Sequence, residues 1–127
     1  MEINIGDLAL LTFIDDLSEE NQLKAIFSLD FNGKEKIIDK LEKIESKVWI
    51  QIGGNERIFG DIILNNSFSD NDESYKWVLK FELSSLMTKE LISGETLFAG
   101  VEHQSYNVRT QEIPLSISKL LAEIINK

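Results

Sequence analysis

Two stretches of this chain place an apolar residue at every second position across nine residues. In the first, Leu23, Ala25, Phe27, Leu29 and Phe31 alternate with Lys24, Ser28 and Asp30, and Ile26 alone breaks the pattern. In the second, Tyr75, Trp77, Leu79, Phe81 and Leu83 alternate with Lys76, Lys80 and Glu82. Successive side chains of a strand point to opposite faces, so such a pattern buries one face of a sheet and wets the other. A helix has a period of 3.6 and cannot hold those five residues on one side. The chain must therefore build a sheet with one apolar face, and other elements must cover that face.

Shorter runs extend this sheet. Ile5 to Phe13 is an apolar run of strand length, joined to the Gln22–Phe31 strand as an antiparallel hairpin through the polar connection from Asp15 to Asn21. Val48 to Ile52 predicts a third strand, ended by Gly53, Gly54 and Asn55, which tolerate the positive φ of a tight turn. Arg57 to Leu64 predicts a fourth, with Gly60 marking a bulge or a close backbone approach. Thr96 to Glu102 and Asn107 to Ile113 predict a last pair that turns at His103 to Tyr106 and stops at Pro114.

The period changes elsewhere. Ile37, Ile38, Leu41 and Ile44 follow the turn dipeptide Asn32-Gly33 and form the stripe of an amphipathic helix. Ile117, Leu120, Leu121, Ile124 and Ile125 predict a C-terminal helix, N-capped by Ser116 or Ser118. Between Ser84 and Gly94 a short serine-capped helix competes with an extended connection. No regular βαβ alternation is present. The expected fold is α+β, a single domain over residues 1–127. It is mainly an antiparallel sheet of about seven strands, with one central amphipathic helix and a C-terminal helix packed on the sheet. A length of 127 residues and a hydrophobic fraction of 43% suit one core of that size.

Charge narrows the function classes. The 22 acidic residues against 13 basic ones give a formal net charge of -9. Glu2, Asp7, Asp15, Asp16, Glu19 and Glu20 all precede Lys24, the first cation. Asp61, Asp70, Asp72 and Glu73 fill a second interval without Lys or Arg, between Arg57 and Lys76. Between them the Glu35–Glu45 segment mixes signs and is close to neutral. Such a field repels nucleic acid and anionic membrane and attracts a basic partner.

Catalytic chemistry has little material here. The chain has no cysteine and one histidine, His103, read as an exposed structural residue in a turn. No nucleophile elbow, no Walker or dinucleotide glycine pattern and no thiolate metal site occurs. Asp70, Asp72 and Ser74 match the start of an EF-hand loop, but Tyr75 stands where that loop needs glycine. No catalytic residue, cofactor or metal ligand is therefore expected. The aromatics Phe27, Phe31, Trp49, Phe59, Trp77 and Phe81 fall within strand patterns and are expected in the core.

What remains is recognition of a protein. In size, acidity and lack of cysteine the chain resembles bacterial immunity proteins, which neutralise toxins, many of them basic nucleases. The resemblance implies a non-enzymatic inhibitor with a basic partner, and Asp15, Asp16, Glu19, Glu20, Asp70, Asp72 and Glu73 are the expected contact residues. The alternatives are a small-molecule or peptide-binding module, with a pocket lined by some of Trp49, Trp77, Phe81 and Phe98, or an adaptor subunit with a large apolar patch. Met1 to Ile5 carries no positive n-region and no long apolar run follows it, so a secretory signal is not expected and a cytoplasmic location is.

Overall fold

The two alternating stretches pair with each other. A computed structural model of the protein describes residues 2–6, 8–14, 21–30, 41–64 and 74–125. Among these residues the strands are β1 (Glu2–Ile5), β2 (Ala9–Phe13), β3 (Gln22–Asp30), β4 (Val48–Ile52), β5 (Ile58–Phe59), β6 (Asp61–Leu64), β7 (Ser74–Glu82), β8 (Leu97–His103) and β9 (Tyr106–Arg109). The helices are α1 (Ser85–Ile92) and α2 (Leu115–Ile125), and a 3-10 turn spans Ile44–Lys47. β3 and β7 run antiparallel in unbroken register from Gln22 opposite Glu82 to Asp30 opposite Ser74. That ladder is the spine of a five-stranded sheet in the order β1-β2-β3-β7-β6. A second, four-stranded sheet has the order β5-β4-β8-β9. All neighbours in both sheets are antiparallel.

Each sheet turns one face into a common core. Leu11, Phe27, Leu79 and Phe81 come from the first, and Val48, Ile50, Leu97 and Ala99 from the second, all fully buried. Every large aliphatic or aromatic side chain buried in this way stabilises the fold by about 1.5–3 kcal/mol. Phe27 lies directly opposite Trp77, and their rings stack with centroids 5.8 Å apart. The α+β architecture expected from the sequence is the one observed.

Two predicted strands are interrupted at a glycine. The Ile5–Phe13 run breaks at Gly6, whose φ of 73° reverses the chain so that β1 pairs back on β2. The Arg57–Leu64 run breaks at Gly60, where the chain leaves the four-stranded sheet and enters the five-stranded one. The Gly60 amide donates to the Val48 carbonyl at 2.9 Å. A Cβ there would stand 3.1 Å from Phe81 and 3.2 Å from Leu79, so the close backbone approach read from the sequence is real. Nine strands in two sheets thus replace about seven in one.

The helices follow their caps. The Ser84 hydroxyl accepts from the Met87 amide at 3.1 Å and starts α1, while Gly94, at φ 100°, follows its end. The short serine-capped helix therefore prevails over the extended connection. α2 starts at Leu115, ahead of both serines expected to cap it. The Pro114 carbonyl accepts from the amides of Ile117 and Ser118, and Ser118 is buried inside the helix, its hydroxyl donating to the Leu115 carbonyl at 3.1 Å. Leu121 and Ala122 face the core, and α2 packs beside α1 and against β3. Residues 35–40 of the predicted central helix, expected over Glu35–Glu45, lie outside the described residues. Its last positions are Leu41 and Ile44, both buried, with Ile44 opening the 3-10 turn.

Tyr106 fastens one sheet to the other. Its hydroxyl donates to the Ile5 carbonyl at 2.6 Å and accepts from the Leu8 amide at 3.2 Å, tying the β8–β9 hairpin to the β1–β2 turn. Gly6 makes room for it: a Cβ there would lie 2.3 Å from the tyrosine oxygen.

Candidate functional site

The seven carboxylates expected at the interface, Asp15, Asp16, Glu19, Glu20, Asp70, Asp72 and Glu73, lie outside the described residues. Their points of attachment are described. The first stretch follows Ile14, whose amide donates to the Lys24 carbonyl at 2.9 Å, and precedes Asn21, whose carbonyl accepts from Leu83 at 2.8 Å. Asn21 adopts φ 64°, a conformation asparagine tolerates better than most residues. The second stretch leaves β6 at Leu64 and returns at Ser74. Gln22 and Ser74, where the chain re-enters the sheet, stand at opposite ends of the β3–β7 ladder. Eight residue steps at strand rise separate them, about 27 Å. The two acidic sets thus attach far apart.

Other carboxylates join the first attachment point. Glu82 lies opposite Gln22, and Asp61 lies opposite Lys80, both exposed on the outer face of the five-stranded sheet. The Gln22 amide donates to Glu82 at 3.4 Å, and Lys80 pairs with Glu82 at 3.2 Å. Along the rest of this face stand Glu2, Lys24 and Lys76. Twelve acidic and nine basic residues fall among the described residues, which accounts for only a third of the net charge. Most of the acidic excess therefore belongs to the stretches outside them.

The aromatic residues do not surround one cavity. Trp77 and Phe81 face the shared core, whereas Trp49 and Phe98 alternate out of it, on the outer face of the four-stranded sheet. The cavity found among the described residues is elsewhere, about 280 Å³ between the end of α1 and α2, lined by Leu91, Ile92, Gly94, Ser118, Lys119 and Ala122 among others. Among the described residues the large apolar side chains left exposed are Phe59, Ile62 and Ile63 around the crossing between sheets, and Leu86, Ile92, Leu115 and Leu120 on the helices. Phe59 is thus an exception to the expectation of core aromatics.

Trp49 is a different exception. It faces outward and is nevertheless 1% exposed. In register it stands between Phe59 on β5 and Gly100 on β8, and Gly100 stands next to Arg109 on β9. A Cβ on Gly100 would come within 2.5 Å of the indole and 2.5 Å of the Val108 carbonyl, so only glycine lets the ring lie against the sheet. The Arg57 guanidinium covers the ring at 4.0 Å from its centroid and reaches on to Glu102 at 2.7 Å. The indole Nε1 is buried without a hydrogen-bond partner. An orphan donor of this kind costs about 1–3 kcal/mol.

His103 holds structure together. Its Nδ1 accepts from the Ser105 amide at 3.0 Å, so its Nε2 carries the proton and donates to the Glu42 carbonyl at 2.9 Å. It ends β8 and is half-buried, not part of an open turn. Glu90 and Glu95 approach the Gly53 turn, where Asn55 donates to Glu90. Among the described residues no group of three or more His, Cys, Asp or Glu is placed to hold a metal ion. No described helix is long and apolar enough to cross a membrane.

Two antiparallel sheets around one core, with two helices on the flank, define a class of α+β domain. A crystal structure of a novel protein of unknown function from Burkholderia pseudomallei K96243 is similar to it, with a TM-score of 0.83 over 98% of this chain and 83% of that one. The two sequences are 16% identical, so the likeness is one of fold. No curated protein matches the chain. Residues 6–124 match the family described as "Protein of unknown function (DUF3501)", and the chain belongs to that family.

Proposed function

We propose that this protein is a non-enzymatic inhibitor that binds a basic protein, in the manner of a bacterial immunity protein neutralising a toxin such as a nuclease. One observation carries the reading. Ile14 and Asn21, which flank the stretch bearing Asp15, Asp16, Glu19 and Glu20, stand at the end of the five-stranded sheet where Asp61 and Glu82 are also exposed. Carboxylates attached to one end of a rigid sheet steer a basic surface toward it and pair with Lys and Arg around an active site. Inhibition is then steric: the docked domain blocks access to that site.

Asp70, Asp72 and Glu73 attach about 27 Å away and make a separate contact. An interface of standard size, about 800 Å² per partner, is roughly 30 Å across and reaches both. An inhibitor of this kind acts in the cytoplasm, beside the toxin it restrains. The test is a titration of the chain into the basic partner, isolated by cross-linking in the native host and then purified. A one-to-one complex that abolishes the partner's activity, and that the D15K/D16K/E19K/E20K variant forms poorly, is the expected result. A partner that keeps full activity in a saturated complex contradicts inhibition.

A further inference from the structure

Both arginines of the chain, Arg57 and Arg109, are stacked on aromatic rings of the four-stranded sheet. Arg57 lies over Trp49 at 4.0 Å and Arg109 over Phe98 at 5.5 Å. The positions share a face, since Phe59, Trp49, Gly100 and Arg109 form one row across all four strands. Phe98 lies two residues from Gly100 on β8 and so on the same side. Arg57 is engaged by Glu102, an ion pair with both side chains partly exposed. Among the described residues no carboxylate pairs with Arg109, although it is exposed. In a chain of net charge -9, this face carries two cations and one anion.

We propose that the outer face of the four-stranded sheet is a second interaction surface, and that it takes a carboxylate-bearing segment of a protein. A guanidinium lying over an aromatic ring is held in place while the edge of its fork can match a carboxylate bidentately; Glu102 takes that edge at Arg57, and among the described residues no carboxylate takes it at Arg109. Two strand spacings separate the Arg109 and Trp49 backbones, about 10 Å, so an extended acidic segment reaches both guanidinium positions. Phe59, exposed in the same row, supplies apolar contact. Trp, Arg and other aromatic residues grouped in this way carry most of the energy at protein interfaces. A single-stranded nucleic acid fits less well, because its bases stack on open aromatic faces and the Trp49 and Phe98 rings are covered by the arginines. The site and the sign of its ligand differ from those of the basic-partner reading, so each stands or falls alone.

The experiment uses the full chain, labelled with 15N, and a capped hexaglutamate peptide as probe. Saturable shifts are expected at the side-chain N–H signals of Arg109, Arg57 and Trp49. Arg109→Glu should weaken binding by at least about tenfold, since it replaces the charge-assisted contact with a repulsion. Arg109→Lys keeps the charge but loses the planar fork, and should weaken it by about threefold or more. Lys76→Glu, on the other sheet, should leave it unchanged. Thermal unfolding shows that each variant is folded. The proposal is overturned by absence of saturable shifts, by equal effects of Arg109→Glu and Lys76→Glu, or by tighter binding of hexathymidylate than of the peptide. It is also overturned if Arg109→Glu abolishes self-association of the chain, because the face is then covered by a second copy.

Discussion

On the outer face of the five-stranded sheet, Ile26 and Val78 stand opposite each other, half-buried, among Lys24, Lys76, Lys80, Glu2, Asp61 and Glu82. On the outer face of the four-stranded sheet the central position is Trp49, nearly inaccessible beneath an arginine. The first arrangement is a water-facing sheet surface, with small β-branched residues in the middle and long charged side chains balanced around them. The second has a packed layer of its own outside the core, with a large ring, a glycine cut away to receive it, and an arginine over it. The indole N–H finds no acceptor there, so the ring is held by apolar and cation–π contact rather than by a hydrogen bond. The contrast marks the smaller sheet as the one whose outer face is packed and not only wetted.

Truncating the centre of each face should show the largest difference. Trp49→Ala should cost about 3–5 kcal/mol in denaturant unfolding, as for a core aromatic, whereas Val78→Ala on the other face should cost about 1 kcal/mol. Equal costs would erase the distinction. Adding a methyl group comes next. Gly100→Ala pushes Cβ into the indole and the Val108 carbonyl and should cost about 1–3 kcal/mol. Gly54, where a Cβ meets nothing within 4 Å, should accept alanine within about 0.5 kcal/mol or gain from it. A tolerant Gly100 would mean that the ring does not lie flat on the sheet. The smallest effect is expected at the rim: Glu102→Gln removes the ion pair to Arg57 and should change stability by less than about 1 kcal/mol, because both partners are partly exposed. A larger loss would make Glu102 the brace that holds the arginine on the ring.

Strands with strict alternation were legible because period 2 is a property of the local chain: β3 and β7 lie within a residue of their expected bounds. The partition into two sheets was not. It hangs on Gly60, where the reason for glycine is the proximity of Phe81 and Leu79, twenty residues downstream. Gly6 hid a turn inside an apolar run for a similar reason, since its partner, Tyr106, is a hundred residues away. The Trp49 face was masked by its own strand. Val48, Trp49 and Ile50 are all buried, so no alternation showed which of them points outward. One signal was available: arginine occurs twice in a chain otherwise supplied with lysine, and both arginines are on that face. The acidic positions were legible only as charge, because carboxylates in polar connections leave no periodic trace.

The central claim is that the carboxylates between Ile14 and Asn21 bring a basic partner to the end of the five-stranded sheet. Stopped-flow association of that partner with the native chain and with the D15K/D16K/E19K/E20K variant, across a range of ionic strength, tests it most directly. The account predicts that the variant associates at least about tenfold more slowly at low salt, that the gap narrows as salt rises, and that its unfolding temperature is unchanged. Association rates indifferent to both the substitutions and the salt would contradict it.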